Sequence, residues 1–427
     1  MLDINFIREN PGMVRKSLEK RKDLEKIAWL DDLLKIDEKW RKLKQDVDNL
    51  RHERNKLSQE VNQLMKQGKK KDAALVIKKA KAIPAQIEAA EKKMLSLRMK
   101  IDNYLMRLPN ILHDSVPFGK DDSDNKEIRV WGKKPKFDFK LKAHGELAEE
   151  LGIADFKQAS EVSGAGFHYM IGDLALLNNA LAQFAIDFLV KKGFKLVIPP
   201  LALRRKPYEG VTDLADFENV MYKIEGEDLY LIATSEHPIG AYMMGKVLTE
   251  KDMPVAYVGY SPNFRKEIGS HGVDTKGLFR THQFWKVEQF IFCKPEDSWE
   301  WIDKLVKNSE ELFKALELPY RVVNICTGDI GSVAAKKYDV EAWMPRQNAY
   351  KEVVSCSNCT DYQARRLNIK YEAKDGTRKF VHTLNSTAIA TSRALVAILE
   401  NNQNKDGSIN IPKVLQKYMG KKKIEAQ

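Results

Sequence analysis

The chain is poor in the features that mark a secreted or membrane protein. Its 427 residues include four cysteines, Cys293, Cys326, Cys356 and Cys359, too few and too scattered for a disulfide framework. Cys356 and Cys359 form a CSNC pair, but a structural zinc site wants four ligands, usually from two such pairs. No second pair and no HxxxH accompany it, so zinc is not expected and the pair reads as two thiols near a strand end. The longest apolar stretch, around Leu174 to Val190, is broken by Asn178, Asn179, Gln183 and Asp187, and Asp3, Arg8 and Glu9 interrupt the N-terminus. Neither a membrane span nor a secretory signal is expected, which predicts a cytoplasmic protein without membrane partners. Also missing are GxGxxG and GxxxxGK(S/T), so a Rossmann or P-loop nucleotide site is excluded. A nucleotide would need another device.

What is present begins with charge. Lysine and arginine number 72 against 60 acidic residues, a net charge of +12, which favours a polyanionic partner without requiring one. The length predicts two or three domains. From Leu33 to Leu64 the residues Leu33, Ile36, Trp40, Leu43, Val47, Leu50, Arg54, Leu57, Val61 and Leu64 alternate steps of three and four. Ala73, Val76, Ala80, Ile83, Ile87, Ala90, Met94, Leu97, Ile101 and Tyr104 do the same. These are two heptad seams. Gly68, in KQGKKK, lies almost midway between them. Folding back there pairs the seams as an antiparallel coiled-coil hairpin with helices over about residues 28–66 and 72–106, kinked or short of one hydrogen bond at Pro84. Residues 31–105 hold 19 basic and 12 acidic residues, so most of the surplus charge sits on this arm. It suits either a solvated interaction arm or one laid along phosphates.

Beyond the arm, "DDSDNKEIRVWGKKPKFDF" reads as a linker near residues 115–140, giving domains 1–114 and 115–427. Helices at His144–Leu151 and Leu174–Lys192 then mix with strands at Lys195–Ile198, Leu229–Ala233, Val255–Tyr260 and Tyr320–Ile325. Without βαβ alternation this predicts an α+β domain with a mainly antiparallel sheet. The strands Val255–Arg265 and Phe279–Phe292 flank a loop holding Gly269, Gly272 and Gly277, as in a hairpin with a long connection. Alternation puts Arg280, His282, Phe284, Lys286 and Glu288 on one face, and Trp285, Val287 and Ile291 on the core face. Fixed cations, an aromatic ring and carboxylates suit an anionic, aromatic ligand. A surface hairpin with solvated charges would alternate in the same way.

The rest of the chain resolves this choice. The hairpin resembles motif 2 of the class II aminoacyl-tRNA synthetases. "TLNSTAIATSRALVAILENNQ" (383–403) resembles motif 3, and "GFKLVIPPLAL" (193–203), with Pro200, resembles the dimer-interface motif 1. TSE at 234–236, "EVVSCSNCTDYQARR" at 352–366 and the basic N-terminal hairpin together resemble the seryl-tRNA synthetase family over essentially the whole chain. The resemblance implies a class II catalytic domain, a homodimer, and serine activation by ATP followed by transfer to the end of serine tRNA, held through the arm. Charging of selenocysteine tRNA is common in the family.

The resemblance also implies residue roles. The catalytic set is Arg265, Glu288 and Arg393. Serine falls to Thr234, Ser235, Glu236, Arg265, Glu288 and Thr387. ATP falls to Arg265 on the α-phosphate, Lys266, Glu267 by the adenine amino group, Arg280 on the γ-phosphate, Thr281, Phe284 under adenine with Arg393 over its other face, Glu352, Val353, Val354 and Ser355. Glu352 and Ser355 are the expected Mg2+ ligands. The family usually shows serine where this chain has Thr387, and often glycine at Ser386. Adenylate formation needs positioning and charge neutralisation more than a base, so His237, His271 and His282 are expected to be structural. Two other readings remain: a ligase that loads a carrier protein, and a non-catalytic coiled-coil protein that binds nucleic acid.

Overall fold

The computed structural model describes residues 1–213, 218–267 and 277–426. The central glycines of the hairpin loop, Gly269 and Gly272, and also His271, lie outside them. The chain divides into two compact units, Leu2–Leu108 and Pro109–Gln427, with Met1 grouped with the second.

The first unit is helical: α1 (Ile4–Glu9), α2 (Pro11–Lys20), α3 (Leu24–Lys66), α4 (Lys70–Ala80) and α5 (Ile83–Arg107). Asp23 caps α3 by accepting from Lys26 N at 3.1 Å, and Gly68 turns the chain with φ +74°, a conformation that suits glycine. Of the twenty seam positions, all but Arg54 are buried or half-buried. Val47, Ile83 and Ile87 form the middle of the seam, with Leu50, Leu57, Ala90 and Met94 packed around them. The returning leg differs from the single helix expected. It stops at Ala80 and restarts at Ile83, with Pro84 in the first turn of α5, where its missing N–H costs nothing. At the base, Asp37 is almost fully buried. It accepts from Arg8 through both oxygens at 2.6 and 2.7 Å, and from Arg41 at 3.0 Å, which ties α1 to α3. The charge surplus is uneven. From Lys56 to Lys81, eight basic residues, all exposed, face only Glu60 and Asp72.

The second unit is built on an eight-stranded sheet: β1 (Lys126–Trp131), β2 (Lys195–Val197), β3 (Val255–Phe264), β4 (Gln283–Cys293), β5 (Tyr320–Asn324), β6 (Lys336–Met344), β7 (Ala349–Asn358) and β8 (His382–Ala390). Their order is β1-β5-β6-β7-β8-β4-β3-β2. All neighbours are antiparallel except β2 and β3, the mixed edge common in α+β sheets. The segment expected to be a linker contains β1. Its turn-rich flanks hid a strand that Arg129 secures through a bidentate contact with Glu310 at 2.6 and 2.9 Å.

Helices α6 (Asp173–Lys191), α7 (Ser298–Ala315) and α8 (Thr391–Asn401) share one core with Val287 and Ile291 of β4, Val340 of β6 and Leu384 of β8. By length and composition α6 could cross a membrane, yet more than half of it is buried in the fold. On the opposite face of β4 the alternation continues as Phe284, Lys286, Glu288, Phe290 and Phe292. The last two join a second apolar cluster with Tyr208, Val211 and Ile239. One strand face therefore changes from polar to apolar halfway along, and the polar half is left to floor a cavity.

Candidate active site

The cavity encloses about 500 Å³ on that face, a size suited to a small-molecule ligand. Register brings its parts together. Glu288 of β4 lies opposite Gly259 of β3 and Thr387 of β8, and Ser355 of β7 lies opposite Asp339 of β6. An irregularity in the β6–β7 pairing leaves Val353 as an extra residue. Such a bulge re-aims neighbouring side chains, and here both Glu352 and Val353 reach the cavity.

One end is a carboxylate pocket. Glu288 accepts from Lys286 Nζ at 2.6 Å and from Thr387 Oγ1 at 3.3 Å. Glu236, at the start of the helix Glu236–Tyr242, accepts from Gln363 Nε2 at 2.9 Å. The Thr234 hydroxyl caps the same turn by accepting from Glu236 N at 3.2 Å. Burial pushes the Glu236 carboxyl up to about 7, with the charge of Glu288 adding to it. Burial raises Glu288 too, and Lys286 opposes the shift. Two buried acids around one lysine amount to an excess of negative charge, a site that a further ammonium would neutralise.

The other end is cationic. Arg265 donates from Nε to Ala233 O at 3.2 Å and stands over the Phe284 ring at 5.2 Å. Arg393, near the start of α8, holds the Glu352 carboxylate at 3.1 Å and its carbonyl at 2.8 Å, with its guanidinium 5.2 Å above the Phe279 ring. Arg280 faces Glu267 at 3.8 Å, and Thr281 lines the wall beside it. Burial would raise the Glu352 carboxyl, but Arg393 and Lys337 more than offset this and hold it ionised. An anionic Glu352 beside the Ser355 hydroxyl is a hard-oxygen donor set that fits Mg2+.

Three of the expected residues do not line the cavity. Val354 points into the core, as alternation next to the bulge requires. Ser235 is fully buried at the N-terminus of the helix Glu236–Tyr242. The Lys266 ammonium lies 5.8 Å over the Tyr222 ring. His282 also departs from the expected face. Regular strand begins only at Gln283, so its ring instead stacks on Phe167 and shares a hydrogen bond with Tyr222. His237 does reach the cavity wall, but it is bonded to Tyr208 Oη at 3.0 Å, and burial pushes its pKa well down.

Sequence reasoning placed Lys286 on the cavity face but gave it no role. Asn385 and the wall Asp329–Ala334 with Lys337 were given no role, nor was Gln363, which holds Glu236 from behind the lining. Alternation along β8 carries Asn385 on the same face as Thr387, a signal that was available. The wall returns from distant sequence and leaves no local pattern. Cys356 and Cys359 are buried, and burial pushes both thiols up.

The chain matches the family profile "tRNA synthetase class II core domain (G, H, P, S and T)" over residues 220–402. It matches "Seryl-tRNA synthetase N-terminal domain" over residues 1–112. It is 61% identical over 421 residues to the serine–tRNA ligase of Methanocella arvoryzae, covering 98% of this chain and 99% of that one. To the Pyrococcus horikoshii serine–tRNA ligase it is 53% identical, covering 99% and 97%. The crystal structure of seryl-tRNA synthetase from Pyrococcus horikoshii complexed with ATP superposes with a TM-score of 0.96 at 52% identity over 100% of both chains. The cytoplasmic enzyme of Naegleria fowleri in complex with AMP gives 0.91 at 36% identity, covering 100% of this chain and 99% of that one.

Proposed function

We propose residue roles for a chain that belongs to the seryl-tRNA synthetase family, a class II aminoacyl-tRNA synthetase. The enzyme activates L-serine with ATP to seryl-adenylate and pyrophosphate, then transfers serine to the 3′ end of its tRNA. The observation that carries this reading is one cavity that holds a carboxylate pocket at one end and three arginines at the other.

In our assignment the serine ammonium completes the Glu236–Glu288–Lys286 cluster, with Thr234 alongside. The serine hydroxyl takes a place between Glu288 and Thr387, and Arg265 spans the serine carboxylate and the α-phosphate. A planar fork suits that double contact. Phe284 is the platform for adenine, and Glu267 with the backbone around Lys266 and Thr281 meets its edge. Arg393 covers the other face of adenine, and Arg280 neutralises the outer phosphates and the leaving pyrophosphate. Glu352 and Ser355 would hold Mg2+, which supplies charge neutralisation to the phosphates when bound. Roles for Ser235 and Val354 can only pass through their backbone, because neither side chain lines the cavity.

The arm is assigned to the tRNA, and its tip, from Lys56 to Lys81, to the phosphate backbone. Helical RNA hides its base edges in a deep groove and is met through backbone and shape, which a cluster of exposed lysines suits. The homodimer is supported by apolar side chains left exposed around the motif 1 segment: Leu176 and Val190 of α6, with Leu196, Ile198 and Leu201. Several large apolar side chains left exposed in these segments suit an interaction surface. A cytoplasmic location accords with the reaction.

Serine-dependent exchange of pyrophosphate into ATP tests the first step, and aminoacylation of tRNA the second. Exchange without aminoacylation would favour a ligase acting on another acceptor. Absence of both would leave a binding protein.

A further inference from the structure

A buried histidine outside the cavity joins motif 2 to motif 3. His144 is the first residue of the helix His144–Glu150, and its side chain is 8% exposed. Its Nδ1 lies 3.1 Å from Glu400 Oε1, near the end of α8. Its Nε2 lies 3.1 Å from the backbone N of Leu278, at the start of the segment that leads into β4. A carboxylate only accepts and a peptide N–H only donates. The proton therefore sits on Nδ1, and the Nε2 lone pair receives the amide of Leu278. Only the neutral ring in this tautomer satisfies both partners.

The approach is close by construction. Gly277 has φ +96°, and a Cβ there would stand 2.3 Å from His144 Nε2, so only glycine lets the backbone reach the ring. A second clamp holds the start of the His144 helix to the residues that follow α8. Lys142 N donates to Gln403 Oε1 at 3.0 Å, and Gln403 Nε2 donates to Lys142 O at 3.2 Å. The other oxygen of Glu400 accepts from Arg346 N at 3.4 Å.

We propose that His144 is a positioning residue for ATP, one that fixes Phe279 and Arg280 against Arg393 by bridging Leu278 N to Glu400. Phe279 follows the anchored amide directly and lies under the Arg393 guanidinium, and Arg280 comes next. Arg393 and Glu400 stand on one helix, α8. The bridge thus sets the distance between two elements that both meet the nucleotide, whereas the serine pocket is built from β4, β8 and the turn and helix at residues 234–237. This inference rests on the ATP roles proposed above.

Three variants test it in the full-length enzyme: His144→Phe, which keeps the ring and loses both bonds; His144→Gln, which can accept from Leu278 and donate to Glu400; and Gly277→Ala. The expected result is a rise of about tenfold in KM for ATP in serine-dependent exchange for the Phe and Ala variants, the order of one missing buried hydrogen bond. KM for serine should stay within about twofold, and Gln should recover most of the loss. Equal ATP parameters in wild type and His144→Phe, parallel rises in both KM values, or a Gln variant no better than Phe would each overturn the bridge. If the Phe variant fails to fold in a melting experiment, the Gln and Gly277→Ala variants decide on the same criteria. Calorimetric binding of ATP to the wild type separates the two levels. A wild type that does not bind ATP defeats the proposed function, while one that binds it as the His144→Phe variant does defeats only this inference.

Discussion

In the arm, Val47 meets Ile83 and Ile87 because a seven-residue repeat puts apolar side chains on facing seams. In the body, Glu288 meets Thr387, 99 positions away, because two strands pair in one register and no other. The arm spends its periodicity on a rod and leaves its outer surface to charge. The body spends its alternation twice, once on the helix-covered core and once on a face that is half cavity. Change tolerated in the first should be felt as stability or tRNA affinity, and change in the second as chemistry.

The sharpest way to break this contrast is at the cavity. Arg265→Ala and Glu288→Ala should each lower serine-dependent exchange by about a thousandfold or more with the circular dichroism of the folded protein kept at assay temperature. Arg265→Lys should not rescue, since an ammonium cannot make the forked contact. Loss of serine activation in Glu288→Ala with ATP binding kept is the discriminating result. Equal damage to both would mean that Glu288 does not recognise serine.

The next effect belongs to the arm. Replacing Lys66, Lys69, Lys70, Lys71, Lys78 and Lys79 by alanine should cut aminoacylation by roughly a hundredfold at moderate salt and leave exchange within about twofold. Every phosphate deprived of its lysine flattens log affinity against log salt by roughly 0.7 to 0.9, so the salt slope should fall with aminoacylation. An unchanged slope would take the tip out of tRNA binding.

Stability changes are smaller. Asp37→Ala removes the buried acid between Arg8 and Arg41 and should cost roughly 2 kcal/mol, less than a fully buried pair because both arginines reach solvent. Denaturant melts read by helix circular dichroism would show it, with exchange kinetics intact.

The most gradual effect is one of pH in the body. The Glu236 carboxyl titrates near 7 in the folded enzyme against 4.5 when unperturbed. Between those values the folded protein keeps a proton that the unfolded chain has released, so stability falls as pH rises through this window and stays lower above it. The loss is at most about 3 kcal/mol. Glu236→Gln should flatten it, making the variant more stable than the wild type at pH 8 and no more stable at pH 4. Serine, whose ammonium favours the ionised form, should reduce the wild-type slope.

What could be read from the sequence follows the same division. The seams gave the arm almost residue by residue, because a helix pairs neighbours three and four positions apart and needs nothing distant to declare them. Alternation on β4 likewise identified Phe284, Lys286 and Glu288. It failed at His282, where the strand has not yet begun. The motif resemblance offered Val354 for ATP, but beside the bulge it faces the core, and the linker reading missed β1, where polar flanks concealed an edge strand. The wall Asp329–Ala334 could not be read at all, since only the completed sheet brings it to the cavity. The full motifs identified the family before geometry did.

The interruption in the returning leg has a mechanical meaning. α3 runs unbroken for 43 residues, about 65 Å at 1.5 Å per residue, while its partner is cut between Ala80 and Ile83. By the pairing of the seams, Arg54, the one polar seam residue and an exposed one, falls level with that cut. Over most of its length the arm resists bending as a beam of two helices. At this one cross-section it has the stiffness of a single helix, with no apolar grip from Arg54 to add to it. A load applied to the lysine-rich end should therefore be taken up as flexure there, and filling the gap with Pro84→Ala and Arg54→Leu should turn a jointed cantilever into a rigid one.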